Sequence, residues 1–152
     1  MAHPEEKLAE LGLSVPEVAK PVAVYVPAVR SGHHVFTSGQ LPMRAGELIA
    51  TGKVGGEVTL EDAVECARQC GLNAIAAVKA EIGDLAAVKR IVKVVCFVAS
   101  TPDFTGQPQV ANGVSELLGA VFGDAGVHAR SAVGVPVLPL DSPVEVELVV
   151  EV

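Results

Sequence analysis

The chain predicts an α+β fold, and three observations carry that prediction. Strand-like runs cluster toward the two ends of the sequence, two long helix-periodic segments lie between them, and one central run is apolar on both alternating faces. Strands grouped in this way, rather than strictly alternating with helices, favour α+β over a doubly wound sheet. A length of 152 residues suits one domain with one core. Apolar residues are 50% of the chain and aromatic residues 3%, so that core is built from Val, Ala, Leu and Ile.

The elements follow in order. Pro4 to Leu13 reads as a short helix with proline in its first turn, acidic residues near its start and Gly12 as its stop. It forms an appendage, residues 1–20, ahead of a single domain at 21–152. Val22 to Val29 is β-rich, Ser31 to His34 is a turn, and Val35 to Ser38 resumes an extended run, so the two pair as a hairpin. Pro42 and Gly46 bracket another turn before a short third strand at Glu47 to Thr51.

Thr59 and Asp62 make a capping-box pattern, and apolar residues from Leu60 to Ile82 recur at helical spacing until Gly83. Gly71 in the middle of that helix costs about 1 kcal/mol relative to Ala, which points to a close approach of helix to sheet. Lys89 to Ala99 is the central strand, with Ile91, Val95 and Phe97 on one face and Val92, Val94, Cys96 and Val98 on the other. Val110 to Phe122 is a second long helix. Ala129 to Val137 and Val144 to Val152, joined through Pro139 and Pro143, read as a second hairpin. The order is βββαβαββ. Two helices cover one sheet face, and a second copy of the chain is the simplest cover for the other.

Composition narrows the function classes. The formal net charge is −7 with no basic stripe, which disfavours nucleic acid as a partner, and the scarcity of rings lowers the odds of a base-stacking surface. Residues 1–13 carry Glu5, Glu6 and Glu10 and no apolar run, so neither a secretory leader nor a membrane partner is expected, and a cytoplasmic location follows. Cys66, Cys70 and Cys96 are odd in number and set in apolar stretches, as buried free thiols would be. No phosphate loop, dinucleotide fingerprint or Gly-x-Ser-x-Gly elbow is present, and no cysteine–histidine set has zinc-site spacing, so neither metal nor cofactor is expected.

What remains is a sparse polar set among apolar strands. Arg130 emerges from the Gly126-Val127-His128 loop. Its planar fork either anchors a small carboxylic acid or forms half of a salt bridge. Glu145 and Glu147 share one face of the last strand. They are either its wet face or, in a pocket, a carboxylate with a raised pKa that moves protons. Tyr25, the single tyrosine, is either core filler or a pocket wall.

Two stretches carry a family resemblance. Tyr25, Pro27-Ala28-Val29 and then Val35-Phe36-Thr37-Ser38-Gly39-Gln40-Leu41-Pro42 resemble the opening hairpin and Ser-Gly-Gln signature of the reactive intermediate deaminase (Rid/YjgF) family, often labelled endoribonuclease L-PSP. Ala129-Arg130-Ser131-Ala132-Val133, Leu138-Pro139 and Val144-Glu145-Val146-Glu147 resemble its closing motif. The likeness runs roughly from Pro21 to Val152. It implies a chorismate-mutase-like α+β unit, assembled as a homotrimer with ligand sites in the clefts between subunits. It also implies cofactor-free hydrolysis of 2-imino acids, formed from enamines such as 2-aminoacrylate, to 2-keto acids and ammonia.

Carried across by position, the resemblance makes Arg130 the holder of the substrate carboxylate and Glu145 the residue that positions the attacking water. Tyr25 and Ser38 become cleft residues, Asn112 the asparagine before the second helix, and Ala132 a backbone carbonyl contact where a cysteine is often found. Ala23-Val24 stands where Gly-Pro commonly precedes the tyrosine, and Thr105 to Gly123 is longer than usual. Two further readings accompany deamination: a catalytically silent trimer that binds a small carboxylate, and a ribonuclease, which the acidic charge and the lack of a paired histidine acid and base disfavour.

Overall fold

The computed structural model describes residues 2–20 and 24–152. Helix α1 (Pro4–Glu10) is capped by His3, whose Nδ1 accepts from the Glu5 amide while the Glu6 carboxylate accepts from the His3 amide. It ends before Gly12, which takes φ +74°. The helix shares the core of the rest of the chain: Leu8 is fully buried, and Glu5 and His3 pair with Lys79 and Asp84 at 2.6 and 2.7 Å.

Strands β1 (Ala28–Ser31) and β2 (His34–Thr37) form the expected hairpin around Gly32 at φ +60°. The strand begins later than the sequence pattern implied. Val22 and Ala23 lie outside the described residues, and Val24 to Pro27 is irregular. The third strand shrinks to β4 (Glu47–Leu48), which pairs only with β3 (Met43–Arg44) in a two-residue ribbon outside the main sheet. Ala45 and Gly46 turn that ribbon, both at positive φ.

Helix α2 (Leu60–Ile82) starts at Thr59, whose hydroxyl accepts from the Asp62 amide, and stops at Gly83. Strand β5 (Arg90–Ala99), helix α3 (Gln107–Phe122), strand β6 (Ala129–Val135) and strand β7 (Val144–Glu151) complete the chain. The main sheet has the order β1-β2-β7-β5-β6. The expected hairpin of the last two strands is therefore corrected. β5 lies between them, parallel to β6 and antiparallel to β7. The reason is the crossover through α3, which returns the chain parallel to β5, after which a turn at Pro139–Asp141 carries it across to the other side.

Two local expectations also change. A bulge between Ile91 and Lys93 inserts a residue into β5, so Ile91 joins Val94, Cys96 and Val98 on the helix-covered face. At Gly71 the close neighbour is α3 rather than the sheet: a Cβ there would stand 2.9 Å from Val114 Cγ2. Gly113 on α3 is tighter, since a Cβ would overlap the Val64 carbonyl oxygen. The two helices thus touch through their glycines.

Burial follows strand alternation. Val144, Val146, Leu148 and Val150 are buried beneath the helices, whereas Glu145, Glu147, Val149 and Glu151 point to the opposite, open face. That face also carries Val29, Phe36 and Val133, each 44–50% exposed. All three cysteines are buried and free, and burial pushes the Cys66 and Cys96 thiols up to about 12. No described helix is long and apolar enough to cross a membrane.

Candidate functional site

Arg130 sits on β6, at the edge of the sheet, opposite Val94 in register and so on the helix side. Its guanidinium reaches α3, where Nη1 donates to Asn112 Oδ1 at 2.9 Å and Ser115 Oγ at 3.1 Å, and Nη2 to the Pro108 carbonyl at 3.3 Å. All three partners are neutral. Among the described residues no carboxylate stands within ion-pair distance, so the salt-bridge reading of Arg130 finds no partner here.

Asn112, which the resemblance places before the second helix, lies inside α3, which starts at Gln107, three residues earlier than the apolar periodicity marks it, with Pro108 in its first turn. Asn112 and Ser115, three residues apart within α3, lie on one face. Ser115 and His128 were not singled out in the sequence. The signal for them was the three-residue spacing from Asn112 and the two-residue spacing from Arg130.

Ala132 is half-buried two residues along β6. The Val135 carbonyl accepts from the Ser100 amide, so odd-numbered residues of β6 turn their backbone groups toward β5. Ala132, an even-numbered residue, turns its carbonyl away from the sheet. A ligand beside Arg130 would find it there.

Glu145 occupies the other face. It stands opposite Phe97 in register, one residue out of phase with the buried Cys96 and Val98. Its side chain packs against Gly39, where any Cβ would overlap Oε2, so the glycine after Ser38 is what admits the carboxyl group. Burial raises the Glu145 pKa above 4.5, and the neighbouring Glu147 charge adds to the effect. Ser38 donates its hydroxyl to the Val26 carbonyl at 2.6 Å and its amide to the Pro27 carbonyl at 2.8 Å, tying the irregular entry to β1 against the strand end.

Tyr25 is 45% exposed, which excludes core filler. With Pro27, Gly39 and Gln40 it lines a cavity of about 660 Å³ whose floor is Gln69 and Asn73 of α2. Those two buried amides are satisfied, Gln69 by donating to Asn73 and Asn73 by donating to the carbonyls of Leu41 and Met43. Tyr25, Ser38 and Glu145 therefore gather around Gly39, while Arg130, Asn112 and Ala132 gather at the β6 edge. Arg130 and Glu145 project from opposite sides of one sheet, so a single chain does not bring them together.

A mixed five-stranded sheet with two long helices on one face and a Ser-Gly-Gln turn against the last strand defines a chorismate-mutase-like α+β unit. The chain matches the model of the family described as "YjgF/chorismate mutase-like, putative endoribonuclease" over residues 5–152, and it belongs to that family. It is 44% identical over 145 residues to protein TCP17 of Trypanosoma cruzi, covering 95% of this chain and 91% of that one. It is 32% identical over 140 residues to the 2-iminobutanoate/2-iminopropanoate deaminase of Dermatophagoides farinae, covering 91% and 93%. The crystal structure of Atu1372 from Agrobacterium tumefaciens, a protein of unknown function, superposes with a TM-score of 0.93 at 43% identity, over 98% of this chain and 92% of that one.

Proposed function

We propose that the protein hydrolyses 2-imino acids, and the enamines in equilibrium with them, to 2-keto acids and ammonia at a site shared by two copies of the chain. The observation that carries the reading is the Arg130 guanidinium, held by three neutral acceptors and left without a carboxylate among the described residues. Such a cation, fixed at a sheet edge, suits a small anionic substrate. The likeness to an iminobutanoate deaminase across nearly the whole chain supports the reaction class.

The chemistry needs little more. Arg130 holds the carboxylate of R–C(=NH)–COO⁻, and Glu145 of a neighbouring copy accepts a proton from a water whose oxygen bonds to the imine carbon. The C=N π pair moves to nitrogen, which takes up a proton. Collapse of the resulting carbinolamine then expels ammonia and leaves the C=O bond. Burial raises the Glu145 pKa, which makes the ionised carboxylate a better proton acceptor than an exposed one. The opposite-face placement of Arg130 and Glu145 is met when the β6 edge of one copy lies against the open sheet face of the next, an arrangement that the homotrimer implied by the family resemblance would allow.

The test is ammonia or semicarbazone formation from 2-aminoacrylate and longer imino acids generated in situ. The unaltered chain is expected to accelerate the reaction, and Arg130→Ala to lower kcat/KM by about two orders of magnitude, the loss typical of a truncated charged anchor. Undiminished turnover in the variant would remove Arg130 from the site. No acceleration of any imine, together with Arg130-dependent binding of a keto acid, would make the chain a silent carboxylate binder.

A further inference from the structure

We infer that Ser115 and His128 are positioning residues for Arg130, holding its guanidinium through a one-way hydrogen-bond chain that leaves the Nε–Nη2 edge facing the substrate carboxylate. The inference rests on the reading of Arg130 as the carboxylate anchor and names what makes that anchor rigid.

Guanidinium has five N–H donors in a fixed plane. Both Nη1 protons are used, by Asn112 Oδ1 and Ser115 Oγ, and one Nη2 proton by the Pro108 carbonyl. Nε–H and the second Nη2–H have no acceptor among the described residues. These two are the donors left for the two oxygens of a carboxylate, and with the Pro108 carbonyl on the Nη1 side of Nη2 they would share the Nε–Nη2 edge.

A serine hydroxyl is a dependable acceptor for arginine only when its own proton is directed elsewhere, and His128 directs it. His128 Nδ1 stands 2.6 Å from the Gly126 carbonyl oxygen, which can only accept, so Nδ1 carries the ring proton. In the neutral ring Nε2 is then an acceptor, and it takes the Ser115 hydroxyl proton at 2.8 Å. Every donor in the series Arg130, Ser115, His128 points the same way, toward the Gly126 carbonyl, so each bond polarises the next. The terminal acceptor is itself fixed, because a Cβ at Gly126 would overlap the Leu118 carbonyl oxygen of α3. The chain thus runs from β6 through Ser115 of α3 and ends on a loop carbonyl packed against that same helix.

The test compares Ser115→Ala, Ser115→Thr, His128→Ala and Arg130→Ala by steady-state kinetics with 2-iminopropanoate, by calorimetric binding of pyruvate, and by thermal unfolding. Ser115→Ala is expected to raise KM and the pyruvate Kd about tenfold while kcat stays within about twofold, as loss of a charge-assisted bond would. Ser115→Thr, which keeps the hydroxyl, should restore both, and His128→Ala, which frees the hydroxyl to rotate, should raise both by about threefold. Unchanged KM and Kd in Ser115→Ala beside a large rise in Arg130→Ala would overturn the positioning role and leave the anchor standing. A lowered unfolding midpoint with no recovery in Ser115→Thr would overturn it in favour of plain packing. If Arg130→Ala itself binds pyruvate normally, the anchor reading fails and this inference falls with it.

Discussion

A carboxyl group loses acidity when it is withdrawn from water and when a second carboxylate stands beside it, and Glu145 meets both conditions on β7. If it accepts a proton from water in its ionised form, activity is lost as pH falls through its pKa. The acidic limb of kcat/KM is therefore expected above 4.5, the ordinary value for this group, and Glu145→Gln should abolish that limb along with most of the turnover while pyruvate still binds. Stability runs the other way. With its pKa raised on folding, the native state holds the proton longer than the unfolded chain, so this group's contribution falls as pH rises from 4.5 through the raised value. Denaturant unfolding between about pH 4 and about pH 8 should show a flatter pH dependence in Glu145→Gln. A pH–rate limb that is the same in both proteins would take Glu145 out of the proton transfer.

At the scale of elements, the contact between α2 and α3 is set by what is missing from it. Gly113 admits the Val64 carbonyl, whereas Gly119, two turns along the same helix, has nothing within 4 Å of where a Cβ would lie. Helix propensity alone would make both Gly→Ala changes stabilising. Gly119→Ala should stabilise by about 0.5–1 kcal/mol. Gly113→Ala should instead destabilise by about 1–3 kcal/mol, because overpacking outweighs propensity. Denaturant midpoints of the two variants check the opposite signs, and a stabilised Gly113→Ala would mean that the helices can part at little cost. The contrast also shows what the sequence could and could not carry. Periodicity located α2, α3 and the central strand, since 3.6- and 2-residue patterns are local properties. Gly71 announced a close approach, but its partner proved to be α3 rather than the expected sheet, and the pairing of β6 with β5 rather than β7 depends on a crossover that no local pattern encodes. Similarly, Arg130 and Glu145 were legible as residue types in extended runs, while Ser115 and His128 acquire meaning only when the loop at Gly126 folds back onto α3.

For the whole molecule, the decisive fact is that β6 turns Arg130 toward the helices while β7 turns Glu145 toward the open face. A reaction that needs both must draw them from different copies, and the exposed Val29, Phe36 and Val133 provide apolar surface on the face that would pack. This arrangement makes a prediction that no single-chain site shares. Arg130→Ala and Glu145→Gln are each expected to be inactive, yet co-expressed in equal amounts they should regain activity. In a closed ring of copies, each site takes its arginine from one subunit and its glutamate from the next. With random assembly, half the arginine donors and half the glutamate donors are intact, so about a quarter of the sites are whole and about a quarter of the unaltered activity should return. Mixing after assembly should restore nothing until the copies exchange. Phe36→Glu, which places a charge in the proposed contact, should lower the oligomeric mass by light scattering and remove activity with every site residue present. Co-expression that restores no activity, in particles shown to contain both variants, would mean that the catalytic groups come together within one chain or that one of them has been misassigned.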